Sequence, residues 1–99
     1  MTQTPSAAPG LQLPEVLDLT FAGPLAESLA ASRGANLAID ASRVQRVGAQ
    51  CVQVLMSAVS TWRADEVALS VVDPSAEFRD ALSLLGIGLA EISTEEAAR

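Results

Sequence analysis

The side chains able to do chemistry in this sequence are few, and most of them are carboxylates. Asp18, Asp40 and Asp73 each stand at the end of an apolar segment, so that Asp18 and Asp40 could approach one another at strand ends. Two carboxylates work as acid and base only where their surroundings push their pKa values apart. At strand ends they more often cap helices and anchor loops. The chain has no histidine, and its single cysteine, Cys51, has neither a disulfide partner nor neighbouring metal ligands. Cys51 also falls on the apolar face of a helical pattern, which suits a small core residue better than a reactive thiol. Without a nucleophile, a metal set or a glycine-rich phosphate loop, the sequence reads as non-enzymatic, with no catalytic residue, metal or cofactor.

What remains is a polar segment, 43–53, with no evident place in a core. Arg43 and Arg46 flank a loop and could meet acidic groups on a partner or be solvated surface. Gly48 either gives the backbone freedom for a tight strand-to-helix turn or leaves a helix N-terminus uncapped for a partner's carboxylate. Gln50 and Gln53 fall opposite the apolar stripe of the helix that follows and would form its exposed upper face. Arg43, Arg46, Gly48, Gln50 and Gln53 are therefore the candidate partner-binding residues.

The elements that must position this segment belong to one small domain. A chain of 99 residues with 49% hydrophobic and 18% charged residues has the apolar material for a single core. Its net charge of -6 would repel phosphate backbones, and Phe21, Trp62 and Phe78 are too few aromatics for base stacking, so nucleic acid is not an expected partner. No apolar run approaches the roughly 20 residues of a membrane span, and residues 1–10 lack a signal-peptide pattern. A cytoplasmic location without membrane insertion is expected.

Residues 1–10, with Pro5, Pro9 and Gly10, read as a flexible arm, and the domain as 11–92. Strands are predicted at 11–13 and 15–19, separated at Pro14 and paired as an antiparallel hairpin at one sheet edge. A helix over 21–33 would have Pro24 in its first turn and stop at Gly34. A buried strand ends at Asp40, a polar stretch covers 41–46, and Cys51, Val52, Leu55, Ala58, Val59 and Trp62 mark one face of a helix over 49–63. A strand over 67–72 leads through Asp73-Pro74-Ser75 into a helix reaching Leu85, with Phe78, Ala81, Leu82 and Leu85 inward. A polar tail, 93–99, closes the chain. Alternating strands and helices imply an α/β fold with a mostly parallel, mixed sheet of four to five strands and three to four helices.

The segment Leu37-Ala38-Ile39-Asp40-Ala41-Ser42, followed by Val47-Gly48-Ala49-Gln50-Cys51-Val52-Gln53, resembles the signature of STAS domains, the fold of anti-sigma factor antagonists. In that family a strand ending in Asp is followed by a small polar turn, then by Asp-Ser-Ser-Gly-Leu-Gly opening a helix. Gly48 stands at the Asp position, Ala49 and Gln50 at the two hydroxyl positions, Cys51 at the first Gly and Gln53 at the second. Leu17-Asp18, Val72-Asp73-Pro74-Ser75 and Leu84-Leu85-Gly86-Ile87 extend the resemblance over about 11–92. The string from Val47 to Ala58, with Trp62, is similar to small STAS proteins of alphaproteobacterial chemotaxis clusters. A similar layout occurs in the small cytoplasmic STAS subunit of lipid-trafficking ABC transporters.

The resemblance implies a protein-interaction module of bacterial signal transduction, associated with chemotaxis, whose partner is a histidine kinase or kinase-like ATPase domain. A transporter subunit or an anti-sigma factor antagonist is the alternative. Phosphorylated members carry the acceptor hydroxyl at the helix start, where free N–H groups and the helix dipole stabilise the added charge. Ala49 and Gln50 have no hydroxyl, so the family's switch position is not phosphorylatable here. The nearest hydroxyls, Ser42 and Ser57, lie respectively in the preceding turn and two turns into the helix.

Overall fold

The computed structural model describes residues 10–94. Most of the N-terminal arm and residues 95–99 of the polar tail lie outside the described residues. The elements follow in the order β1 (Gly10–Gln12), β2 (Val16–Leu17), α1 (Leu19–Ala31), β3 (Leu37–Asp40), β4 (Arg46–Val47), α2 (Ala49–Ala64), β5 (Leu69–Val72) and α3 (Ala76–Leu84), with a short 3-10 helix at Leu89–Ile92. This is the α/β, mostly parallel arrangement read from the sequence. One sheet has the order β1-β3-β5, and β2-β4 forms a second.

The antiparallel hairpin is not formed. Every strand pair among the described residues is parallel, β1 with β3, β2 with β4 and β3 with β5. The reason is Pro14. The β1 ladder continues until the Leu13 N–H donates to the Asp40 carbonyl at 2.9 Å, skips Pro14, which has no N–H, and resumes where Gln45 and Arg46 donate to the Glu15 carbonyl at 2.7 and 3.1 Å. The chain thus runs forward through the break. A tight reversal there would need a residue with positive φ, and none of 13–15 has one. Leu13 and Leu17 are both wholly buried by this path.

The first helix starts earlier than predicted, because Asp18 rather than Pro24 opens it. The Asp18 carboxylate accepts from the Thr20 N–H at 3.1 Å, which caps α1 and leaves Pro24 inside the helix, past its first turn. The strand before it is shortened to Val16–Leu17 by the same cap. Leu25 and Leu29 are the inward residues of α1. In α2 all six predicted inward positions, Cys51, Val52, Leu55, Ala58, Val59 and Trp62, are buried, and the Trp62 indole N–H donates to the Ala35 carbonyl at 2.8 Å.

Behind β3 the stretch read as polar supplies two core residues, Ala41 and Val44, both wholly buried. Ser75 holds that stretch to α3. Its hydroxyl donates to the Val44 carbonyl at 2.6 Å and accepts from the Phe78 N–H at 3.0 Å, so one side chain both caps the helix and anchors the loop. In α3, Phe78 and Leu82 are buried, whereas Ala81 is half-buried and Leu85 is 44% exposed. The helix ends at Leu84 and Gly86, with φ 76°, turns the chain, so Leu85 leaves the inward face and Ile92 completes that part of the core. At the C-terminal side the Thr94 N–H donates to the Leu69 carbonyl at 2.8 Å and its hydroxyl accepts from the Leu69 N–H.

Candidate functional site

The start of α2 is locked against the end of β2 by two contacts. The Gly48 N–H donates to the Leu17 carbonyl at 2.6 Å, and the Cys51 thiol, buried one turn into the helix, donates to the Asp18 carbonyl at 3.3 Å. The N-termini of α1 and α2 are therefore adjacent. Each helix leaves its first N–H groups without intrahelical partners. Asp18 serves those of α1, while Gly48, the N-cap of α2, offers no side chain to those of α2.

Gly48 has an ordinary extended backbone, φ -97° and ψ 154°. Conformational freedom is therefore not why glycine stands there. A Cβ at this position would lie 3.1 Å from the Leu17 carbonyl oxygen and 3.7 Å from the Asp18 Cα. That oxygen already accepts the Gly48 N–H bond and cannot easily retreat. The residue is glycine because two backbones meet.

Around this junction the candidate residues spread over three elements. Arg43 lies exposed in the loop after β3, and Arg46 lies exposed in β4 beside Val16. Ala49, Gln50 and Gln53 are exposed on the first turns of α2. None of the side chains of Arg43, Arg46, Gln50 or Gln53 makes a hydrogen bond among the described residues, although the pKa of Asp40, lowered first by its hydrogen bonds from Ser42, is lowered also by the charge of Arg43. Arg46, Gln50 and Gln53 thus carry uncommitted polar side chains on the two elements that meet at the fixed backbone junction, β4 and α2. The hydroxyls Ser42 and Ser57 are both exposed, one in the loop and one along α2, and neither is at the α2 start.

Residues that the sequence reading passed over also surface here. Val16 is 42% exposed and Leu19, the first residue of α1, is 68% exposed, both next to the β2 end that holds Gly48. Thr20 is the one hydroxyl at a helix start in this neighbourhood. It donates to the Asp18 carboxylate at 2.6 Å, and this bond is the main reason that carboxyl titrates below the usual range. Asp-Leu-Thr after an apolar pair is a legible cap signal. The Cys51 thiol has a raised pKa, from burial first and then from the charge of Asp18, which keeps it protonated and unreactive. Asp18 and Asp40 do not form a pair. Asp40 folds back on the Ser42 N–H at 2.9 Å and receives the Gln12 amide at 3.4 Å.

From Gln50 a valley of about 580 Å³ runs between α1 and α2. Leu29, Ala58 and Trp62 form its floor, alanines of α1 one wall, and Gln53, Ser57 and Thr61 part of the other. Its far end is closed by Arg33, whose guanidinium makes two bonds, 2.9 and 3.1 Å, to Asp65 at the end of α2. The pair raises the pKa of Arg33 and lowers that of Asp65.

The fold agrees with what comparison with known proteins finds. A family model described as Mlab, STAS domain matches residues 1–90, and the chain belongs to that STAS-domain family. No curated protein and no solved structure matches it. STAS domains are in general non-enzymatic modules that mediate protein–protein contacts, of signalling or anti-sigma-antagonist type. No helix among the described residues is long and apolar enough to cross a membrane.

Two glycines give opposite expectations. Gly48→Ala should destabilise the fold by about 1 kcal/mol, because the added Cβ meets a held carbonyl. Gly23→Ala, in α1 with nothing within 4 Å of the new Cβ, should stabilise it by about 0.5–1 kcal/mol. Urea unfolding of both variants measures the difference, and equal effects would refute the steric account of Gly48.

The lowered pKa of Asp18 sets a pH dependence. Its stabilising effect is fully present above the ordinary carboxylate pKa and is lost as pH falls through the lower folded value. Asn caps a helix about as well as Asp but does not titrate. Asp18→Asn should therefore leave the urea midpoint at neutral pH nearly unchanged and flatten its fall below about pH 4. An unchanged acid limb would show that Asp18 is not among the groups that set it.

Proposed function

We propose that the chain is a cytoplasmic, non-enzymatic signalling module that binds a protein partner through Arg43, Arg46, Gly48, Gln50 and Gln53, with the exposed Val16 and Leu19 completing the surface. The observation that carries this reading is the combination at one point of a backbone junction that would crowd a side chain and polar groups that the fold does not use. A rigid base with uncommitted side chains is what a specific contact needs, since little ordering entropy is lost on binding. The partner we favour is a histidine kinase or kinase-like ATPase domain in a chemotaxis-type system.

The surface works without a phosphoswitch. Ala49 and Gln50 offer no acceptor oxygen for a phosphoryl group, and the Gln50 amide is neutral like an unmodified serine, so the module corresponds to a permanently binding-competent form. Regulation then rests with the partner. A second reading, the STAS subunit of a lipid-trafficking ABC transporter, has the description of the matched family in its favour, since it names Mlab. Both readings use an ATPase-type partner. Neighbouring receptor and kinase genes support the first, permease and ATPase genes the second.

The test is a double change. Arg46→Glu combined with Gln50→Glu reverses one charge and adds another at exposed positions, so the melting temperature should stay nearly constant while affinity for the partner purified from the native cell falls by about tenfold or more. Unchanged affinity by calorimetry would place the interface elsewhere. Protein recovered from the same cells should have its unmodified mass, and a stoichiometric phosphoryl group on Ser42 or Ser57 that abolished binding would contradict the unswitched account.

A further inference from the structure

Two hydrogen bonds of Ser75 hold one turn from both of its ends. The Ser75 N–H donates to the Ala41 carbonyl at 3.1 Å, and its hydroxyl donates to the Val44 carbonyl at 2.6 Å. The same hydroxyl oxygen accepts the Phe78 N–H at 3.0 Å, which caps α3. Between the two held carbonyls stand Ser42 and Arg43, both exposed, while Ala41 and Val44 on either side turn inward and are wholly buried. Beyond the clasp, the Gln45 and Arg46 N–H groups are held by the Glu15 carbonyl. Arg43 therefore stands on a turn that is fixed on both sides by residues remote in sequence.

The turn's own bonds are weaker holds. Its closing bond, from the Val44 N–H to the Ala41 carbonyl, is long at 3.4 Å, and the Asp40 carboxylate holds only its first amide, the Ser42 N–H, at 2.9 Å. The chain before Ser75 is shaped for the clasp. Asp73 lies in the left-handed region with φ 49°, a conformation unfavourable to a residue with a Cβ that persists where its surroundings hold it. Pro74 follows with φ set by its ring, so Ser75 arrives with little freedom of its own.

We propose that Ser75 is a positioning residue of the partner-binding surface, which by holding the Val44 carbonyl fixes the turn that presents Arg43 and leads on to Arg46. The proposal rests on the reading of the 43–53 segment as that surface. An unclasped turn would have to be ordered at the moment of binding, and that loss of freedom subtracts from affinity.

Three substitutions separate the clasp from the cap. Ser75→Asp keeps an oxygen for the Phe78 N–H, since Asp caps a helix about as well as Ser, but at neutral pH it has no proton for the Val44 carbonyl. Ser75→Ala loses both bonds and adds no charge, whereas Ser75→Thr keeps a hydroxyl for both. In the free chain, amide exchange across 42–46 should be about tenfold faster in the Asp and Ala variants than in the parent, while the Phe78 amide is released in the Ala variant alone. Circular dichroism confirms folding of each variant. For the partner purified from the native cell, the affinity measured by calorimetry should fall about fivefold or more with Asp and with Ala, and Thr should bind as the parent does.

A double-mutant cycle tells positioning from general loosening. Arg43→Ala should weaken the complex in the parent and have little further effect in the Ser75→Ala background, because an unclasped turn no longer presents the arginine. A merely structural Ser75 would leave the two effects additive. Unchanged exchange at 42–46, additive effects, or a loss of affinity confined to Ser75→Asp, and so due to its charge, would each overturn the proposal. Failure of the surface reading looks different, since Arg46→Glu with Gln50→Glu would then leave the natural complex intact. If that double change weakens the complex while Ser75→Ala and Ser75→Asp do not, the surface stands and the positioning role falls.

Discussion

The structure hangs on the place where the Gly48 N–H meets the Leu17 carbonyl at 2.6 Å. At that point the first strand track ends, α1 begins under its Asp18 cap, and α2 leaves β4. A Cβ at position 48 would intrude on the same carbonyl, so the absence of a side chain there lets both helix starts stand side by side. The Cys51 thiol adds a second tie one turn into α2, to the Asp18 carbonyl. Two short bonds to consecutive carbonyls thus fix the direction of the longest helix. The unbonded side chains of Arg46, Gln50 and Gln53 are displayed around this fixed point.

The remaining architecture keeps α1 and α2 parallel partners over the sheet without closing the space between them. Trp62 ties α2 to the loop after α1 through the Ala35 carbonyl, and the Arg33–Asp65 pair spans the same end. That pair is exposed on the arginine side, at 56% of the side chain, so its part is to set the spacing of the helix ends more than to stabilise the fold. The opposite end is held by the β2–α2 junction. Between two tied ends the alanines of α1 leave a gap, which is how a domain with no buried polar residue among those described keeps a sizeable concave surface.

Much of this was legible in the sequence, and the rest was not, for identifiable reasons. The six apolar positions of α2 recur at helical spacing from Cys51 to Trp62, and the Leu37–Asp40 strand is a short apolar run with an abrupt end. Both could be read because local periodicity decides them. The parallel pairing of β1 and β2 escaped because it depends on partners almost thirty residues away in sequence, although the want of a turn-forming residue around Pro14 was visible. The start of α1 escaped because Gly23-Pro24 resembles a helix entry as much as Asp18 does. Gly48 was singled out for its flexibility or its bare N-cap, whereas the carbonyl that would crowd a side chain there comes from residue 17. Arg33 and Asp65, 32 residues apart, carry no local signal at all.

Membership of the STAS-domain family is consistent with these constraints, and the first turn of α2 opens on Ala49 and Gln50, neither of which has a hydroxyl. The central claim is that the α2 start and its surroundings form the contact surface. Hydrogen–deuterium exchange of the chain, free and bound to its purified partner, tests this most directly. The account predicts added protection in residues 16–20 and 43–57 with α3 unchanged, and protection concentrated in Ala76–Leu84 with none at 43–57 would contradict it.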